Sequence, residues 1–256
     1  MLWVILITLL IRSLSAGPEE VFLVPHLEKQ VKSSVVDKEK ESRIVEISKA
    51  AKKDFKAFHK VRKKKLKTID KMMGDGSIPS EDIWSVYEEY QQARLEMQAR
   101  TVDRRLEFQE LFTDQEWKEV IDDALNPSKK EENKSLKHEM KEEKVLDDYF
   151  ADIKKTVEKK IEDPERTARI FESMDRFQKT FDAFIDEGQT MNVQDSKVLR
   201  DRHATREEME EFYTRQNDLR NKGSKEFLEL RTVAIENTKK EEWHAIEKAL
   251  TSILSE

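Results

Sequence analysis

Cysteine is absent from this 256-residue chain, and glycine and proline are scarce, with five of each. The lack of cysteine excludes disulfides, thiolate metal ligands and cysteine nucleophiles. The few glycines and prolines fall near the chain ends or between periodic segments, whereas a β-sandwich needs turn residues about every 8–12 positions. These scarcities argue against a β-rich fold and favour long helices.

The composition agrees with long helices. Charged residues make up 40% of the chain and hydrophobic residues 37%, and the formal net charge is -6. That balance suits helices that each bury a narrow apolar stripe better than it suits a thick core. We therefore predict an all-α fold of long antiparallel helical hairpins.

The N-terminus has the pattern of a secretory signal. An apolar run from Leu2 to Ile11 is followed by Arg12 and by small residues ending at Ala16. Ten helical residues span only about 15 Å, half of the roughly 30 Å hydrocarbon core, so a membrane anchor is the weaker alternative. We predict a signal peptide over residues 1–16 and export to the periplasm or the exterior.

Apolar residues then recur every three or four positions, the period of an amphipathic helix. In the first segment they are Ile44, Ile47, Ala51, Phe55, Phe58, Val61, Ile69 and Met73. The turn-forming residues 74–79 predict the end of this helix, and Ser80 is the expected N-cap of a second. Thr113 and Glu116 form a predicted capping box at the start of a third helix. The first two helices should pack as an antiparallel hairpin.

A second set of helices is predicted beyond residue 145. Asp163 followed by proline has the pattern of an N-cap, and Gly188 is the expected end of that helix. Its apolar residues have heptad spacing: Ile170, Met174, Phe177, Phe181 and Phe184. Thr205 is predicted to open the next helix, whose apolar residues continue past Gly223: Met209, Phe212, Leu219, Phe227, Leu230 and Ala234. Two further capping boxes are predicted, Thr205 with Glu208 and Thr238 with Glu241.

These patterns divide the chain into five parts. They are a signal peptide at 1–16, an extended arm at 17–36, a first helical unit at 37–125, a charged linker or solvated helix at 126–145, and a second helical unit at 146–256. Each unit ends in a short helix bearing a tryptophan, Trp117 or Trp243, and both are candidate structural anchors. The repeated order suggests two related units, with chance similarity of helical sequences as the alternative.

One motif resembles a known family. Phe112 to Glu116 is similar to the Leu-Thr-x-x-Gln motif of periplasmic Spy/CpxP-like proteins, although Phe112 stands in place of Leu and Glu116 in place of Gln. The resemblance covers the hairpin around 45–125 and, more faintly, 164–253. It implies an ATP-independent holdase or envelope-stress role in a cradle-like homodimer.

No catalytic or metal-binding pattern is present in the sequence. None of the five histidines has another at a spacing of three or four, which would turn two imidazoles toward one metal. Residues 70–81 have the length of a calcium loop but place Met72 and Gly74 where oxygen ligands belong. No phosphate loop, nucleophile elbow or local triad is found. We predict no enzymatic activity, no cofactor and no metal.

The sharpest electrostatic feature is the stretch 48–72, in which eleven Lys or Arg accompany two acids for a net charge of +9. We select seven of these cations as a candidate surface for anionic partners: Lys56, Lys60, Arg62, Lys63, Lys64, Lys65 and Lys67. One alternative is a solvated helix face that pairs with acids such as Glu81, Asp82, Glu88 and Glu89 across the hairpin. Nucleic-acid binding is disfavoured because export and the acidic remainder both oppose it.

The sequence thus predicts an exported helical binding protein of the cell envelope, acting as an ATP-independent chaperone-like holdase. Its expected partners are proteins or unfolded clients and anionic envelope components, with a homodimer as the expected assembly. The alternative is a structural or spacer protein that assembles through coiled-coil contacts without binding clients.

Overall fold

A computed structural model of the chain describes residues 37–125 and 150–252. The part so described has seven helices and no strand, which confirms the predicted all-α fold. The helices are α1 (Lys38–Gly74), α2 (Ser80–Glu110), α3 (Asp114–Leu125), α4 (150–160), α5 (Pro164–Arg200), α6 (Arg206–Glu236) and α7 (Lys240–Ser252). The predicted signal peptide, arm and charged segment at 126–145 lie outside the described residues.

The first two helices form the predicted antiparallel hairpin, turning at residues 75–79. The Arg104 guanidinium donates to Asp54 at 2.6 Å, while Lys65 near the turn pairs with Glu89. The Phe58 ring stacks on Tyr90 with centroids 5.9 Å apart. Apolar packing along one side of α1 and ion pairs along its edge therefore hold the hairpin together.

The second hairpin is built from α5 and α6 in the same way. The predicted heptad residues Ile170, Met174, Phe177 and Phe181 are all buried, while the side chain of Phe184 lies outside the described residues. Phe177 contacts Phe227 of α6, with ring centroids 5.3 Å apart. The stripe that could have served a coiled coil between molecules is thus buried within the chain.

The two hairpins pack on each other through α2 and α6, which run antiparallel. Ser80 meets Thr232 near one end, with hydroxyl oxygens 2.7 Å apart. Further along, the amide of Asn217 donates to Gln98 at 2.8 Å. One apolar cluster contains buried residues of both hairpins, of α4 and of α7, and a smaller cluster packs Val102 of α2 against residues of α6.

Three of the predicted helix N-terminal caps are confirmed. The Asp163 carboxylate accepts hydrogen bonds from the backbone N–H groups of Glu165 and Arg166, as an N-cap should. Thr205 and Glu208 form a complete capping box. Thr113 and Glu116 form another, because the Glu116 carboxylate accepts from the Thr113 N–H at 2.8 Å and the Thr113 hydroxyl accepts from the Glu116 N–H at 3.3 Å.

The expected helix end at Gly188 is wrong. α5 continues through Gly188 to Arg200, and α6 passes through Gly223 without interruption. A glycine inside a helix costs only about 1 kcal/mol relative to alanine, which packing of the rest of a helix readily offsets. Gly223 is itself buried.

Two predicted caps are also wrong. Pro79 is the N-cap of α2 and makes no side-chain capping bond, while the Ser80 hydroxyl contacts Thr232 of α6 instead. The Thr238 hydroxyl donates back to the Ala234 carbonyl at 2.8 Å and so serves the end of α6 rather than the start of α7. Only half of a capping box forms at α7, one residue later than predicted, since Glu242 accepts from the Lys239 N–H at 2.6 Å while lysine has no side-chain acceptor.

The two hairpins match in length. α1 and α5 each contain 37 residues, α2 and α6 each contain 31, and α3 and α7 contain 12 and 13. Their first residues are 126 positions apart in all three pairs, as 164 minus 38, 206 minus 80 and 240 minus 114 show. The bond from the Lys239 N–H to Glu242 at α7 lies 126 positions after the bond from the Thr113 N–H to Glu116 at α3.

Candidate functional site

Five of the seven candidate cations form an exposed face on α1. Lys56, Lys60, Lys63, Lys64 and Lys67 are all exposed. At 100° per residue they lie on the side of the helix opposite its buried stripe. From Lys56 to Lys67 the rise of the helix spreads them over about 16 Å. We call these five residues the lysine face.

The other two candidates lie elsewhere. Arg62 is half-buried and shares the side of α1 that carries Phe58 and Leu66. Lys65 is also half-buried and forms an ion pair with Glu89 across the hairpin. Arg62 and Lys65 therefore belong to the packing of α1 against its neighbours rather than to the lysine face.

The acids across the hairpin neutralise little of the basic stretch. Four acids across the hairpin were expected to pair with the basic stretch at 48–72. Among the described residues, Glu89 is the one of these four that forms an ion pair with it. Glu88 instead accepts a hydrogen bond from the indole N–H of Trp84 at 2.8 Å. Where the chain is described, no carboxylate lies within ion-pair distance of the lysine face. Over the described residues, five positive charges without a carboxylate partner therefore project into solvent on one surface.

The character of this face limits what it can do. Lysine ammonium groups are compact point charges on flexible stems, so they attract anions without the planar, bidentate geometry that arginine offers to a phosphate. No exposed Phe, Tyr or Trp ring lies among the five lysines, and the exposed ring nearest to them is the imidazole of His59, one turn from Lys63. The arrangement suits non-specific attraction of a negatively charged surface, with an energy that falls as salt rises.

Both candidate anchor tryptophans are buried and bind the opposite hairpin. The Trp117 indole N–H donates to the Arg200 carbonyl at the end of α5, at 2.7 Å. The Trp243 indole N–H donates to the Gly74 carbonyl at the end of α1, at 3.3 Å. A Cβ at Gly76 would lie 3.0 Å from the Trp243 ring, so the α1–α2 turn needs glycine for this close approach. Each short helix thus closes the far end of the other hairpin.

Two buried arginines reinforce these contacts, and sequence reasoning missed both. Arg231 on α6 is 1% exposed and donates to main-chain carbonyls at the end of α1, including Met73 at 3.0 Å. Arg105 on α2 donates to the Asp201 carbonyl at 3.2 Å and stacks on Trp117, 4.0 Å from the ring centroid. Burial lowers the pKa of Arg105 to about 9. The only sequence signal was an arginine at a position where the helical period expects an inward-facing residue.

In each unit an ion pair joins the first turn of the long helix to the short tryptophan helix. Lys40 binds Glu116 at 2.5 Å, and Arg166 binds Glu242 at 2.7 Å. The hydrogen bond from Arg166 lowers the pKa of the Glu242 carboxyl. For Glu116, burial acts to raise the pKa, but the hydrogen bonds from Lys40 and Thr113 outweigh it and the net pKa is lowered.

A shallow polar depression lies beside the second of these pairs. It is lined by Lys160, Glu162, Asp163, Arg166, Glu236, Thr238, Lys239 and Glu242. Its principal charges are already engaged, since Arg166 contacts both Asp163 and Glu242. All eight lining residues are polar or charged, so the depression lacks the apolar wall that is typical of a small-molecule site.

Metal-binding chemistry finds no support in the geometry. Over residues 37–125 and 150–252, no three His, Asp or Glu side chains converge as metal ligands would. His203 contacts Asp114, with Nε2 and the carboxylate oxygen 3.1 Å apart, and His244 contacts Glu247. Within the same residues, no helix combines the length and apolarity that crossing a bilayer requires.

Comparison with known proteins found no matching family model, no matching curated protein and no matching solved structure. The candidate site therefore stands on its geometry alone.

Proposed function

We propose that the protein is an exported helical binding protein of the cell envelope, and that the lysine face of α1 holds it against anionic components of that envelope. The observation that carries this proposal is the absence of carboxylate partners for five exposed lysines, over the described residues, on the side of α1 turned away from the core. Cations near an anionic lipid surface each contribute about 1 kcal/mol of attraction.

The second hairpin offers an internal comparison. α5 has the same length as α1 and packs in the same way, yet the residue equivalent to Lys56 on α5 is Asp182, which is exposed. The fold therefore does not require lysine at that position. A feature that one hairpin has and its counterpart lacks is better explained by binding than by packing.

A chaperone-like holdase role is the second proposal. The large apolar side chains that are most exposed in the described residues are Val61 on α1, at 38%, and Leu95 on α2, at 47%. Val61 lies beside the lysine face, so an acidic unfolded chain could make both kinds of contact. This apolar area is small, which favours attraction by charge as the main source of affinity.

The test replaces Lys60, Lys63 and Lys64 together with glutamate. Binding is measured by sedimentation with vesicles that contain anionic phosphatidylglycerol, and with neutral phosphatidylcholine vesicles for comparison. Removing three attractions of about 1 kcal/mol each weakens binding to anionic vesicles at least roughly 100-fold. Circular dichroism should show unchanged helicity, because all three side chains are exposed.

The matched control changes three exposed lysines on other surfaces, Lys159, Lys179 and Lys222, to glutamate. It alters the net charge by the same amount and should retain most of the binding. Equal losses in the two variants would mean that net charge, not the lysine face, governs binding. If the first variant keeps full affinity, the solvated-face interpretation is correct. Suppression of aggregation of an acidic client, lost in the same variant, would favour the holdase role.

A further inference from the structure

The matching lengths of the two hairpins extend to their capping residues. Asp37 is the N-cap of α1 and Asp163 is the N-cap of α5. Each carboxylate accepts hydrogen bonds from the backbone N–H groups two and three residues later. In the turns, the Asp75 carboxylate accepts from the Ser77 N–H at 3.0 Å, and the Asp201 carboxylate accepts from the His203 N–H at 2.8 Å. All of these pairs keep the separation of 126 positions.

Contacts inside each unit are repeated at that same separation. In the first unit (α1–α3) Lys40 binds Glu116, and in the second unit (α5–α7) Arg166 binds Glu242. A cation in the first turn of the long helix thus meets the carboxylate of the short helix in both units. Two ion pairs at matched positions in one chain are not expected from chance similarity of helical periodicity.

The contacts between the units are repeated with the units exchanged. Arg231 of the second unit donates to Asp75 O of the first unit at 2.6 Å, and Arg105 of the first unit donates to Asp201 O of the second at 3.2 Å. The two short helices make the same reciprocal contacts. The Trp117 indole N–H of α3 donates to the last turn of α5, and the Trp243 indole N–H of α7 donates to the last turn of α1. Such reciprocity, in which residue i contacts j and j contacts i, defines an isologous two-fold interface.

We propose that the chain is a fused dimer, in which two copies of one helical unit meet through an isologous interface that holds without the covalent connection between them. The partner that fits the α2 surface of the first unit is therefore a second helical unit of the same kind, here supplied by the same chain. The interface does not depend on the lysine face.

The composition of the interface explains its specificity. The α2–α6 contact contains buried amides, such as Gln98 and Asn217, whose side chains bond to each other. Buried polar groups must find these partners, so a shifted register would leave them unsatisfied. The two arginines add donors to main-chain carbonyls of the opposite unit. These bonds favour one register of the interface.

The experiment uses the full chain with a protease recognition sequence inserted within residues 128–140. The purified protein is cleaved, in urea if the native form resists, then returned to native buffer and analysed by native mass spectrometry and size-exclusion chromatography. We expect both fragments in one particle with the mass of the intact chain. Two separate species at micromolar concentration would overturn the proposal.

A pair of variants identifies the contacts that hold the fragments together. Arg105→Met with Arg231→Met removes both exchanged arginines, and the cleaved variant should dissociate at concentrations where the unchanged fragments stay associated. The control, Arg43→Met with Arg176→Met, removes exposed arginines that pair within their own hairpins with Glu107 and Glu229, and should have no effect. Equal retention in both variants would contradict the assigned role of the arginines.

Discussion

Arg231 offers the sharpest test of how the two hairpins are held together. Its guanidinium donates to the carbonyls of Met73 and Ile78 at 3.0 Å each, of Asp75 at 2.6 Å and of Met72 at 3.3 Å. These carbonyls lie at the end of α1 and in the following turn, where a helix leaves acceptors without intrahelical donors. The cation also lies at the negative end of the α1 dipole.

The cost of Arg231→Met follows from which carbonyls lose every donor. Met72 O still accepts from the Asp75 N–H at 3.2 Å, and Asp75 O from the Ile78 N–H at 3.1 Å. Within the described residues, the carbonyls of Met73 and Ile78 have no such backbone donor. Each buried acceptor left unsatisfied costs about 1–3 kcal/mol, and water reaching the half-exposed turn reduces the sum, so we expect a loss of roughly 3–4 kcal/mol.

The assay is urea unfolding followed by circular dichroism, with thermal unfolding as a second measurement. A loss of that size lowers Tm by about 10 °C in a chain of this length. Arg206→Met is the control, because Arg206 is exposed and its ion pair with Asp103 should contribute no more than about 1 kcal/mol. The reasoning is refuted if Arg231→Met destabilises the protein no more than Arg206→Met does.

Three further outcomes are expected. Trp117→Phe removes the indole donor to α5 but keeps an aromatic ring, so unfolding experiments should show a loss of about 1–2 kcal/mol. Gly76→Ala places a Cβ 3.0 Å from the Trp243 ring and should cost about 1–3 kcal/mol in the same unfolding assay. If the Trp243 ring stays buried in this variant, the wavelength of maximum tryptophan emission should not change. Because the folded-state pKa of Glu242 is lowered, its stabilising contribution is present above the unfolded pKa and is lost as pH falls through the folded value. Stability measured from pH 6 downward should therefore fall less steeply in Arg166→Met than in the unchanged protein.

The sequence by itself determined the helical class and many of the helix boundaries. The apolar period along α1, the turn at 74–79, and the caps at Asp163 and Thr205 all depend on residues within about four positions of one another. Local geometry is enough to specify such features. The same reasoning failed at Gly188, because the small local cost of glycine inside a helix is outweighed by packing that no local pattern reveals.

The candidate site was determined in part by the sequence. The density of lysine in 48–72 identified the basic stretch, and the helical period alone would have turned Lys56, Lys60 and Lys64 away from the buried stripe. Only the tertiary structure decided that Lys65 pairs with Glu89 and that the other acids across the hairpin leave the lysine face unpaired. An ion pair between helices depends on their register and rotation, which periodicity does not fix.

The association of the two hairpins was decided by the tertiary structure alone. The sequence suggested two related units, but its match between the tryptophan helices was out of step by one residue until the cap of α7 was placed at Lys239. The helical period places Arg105 and Arg231 on the inward sides of their helices, but this signal alone does not predict burial, since an arginine on a helix is ordinarily solvated. They are buried because the carbonyls that satisfy them belong to turns far away in the chain, and only folding brings those donors and acceptors together.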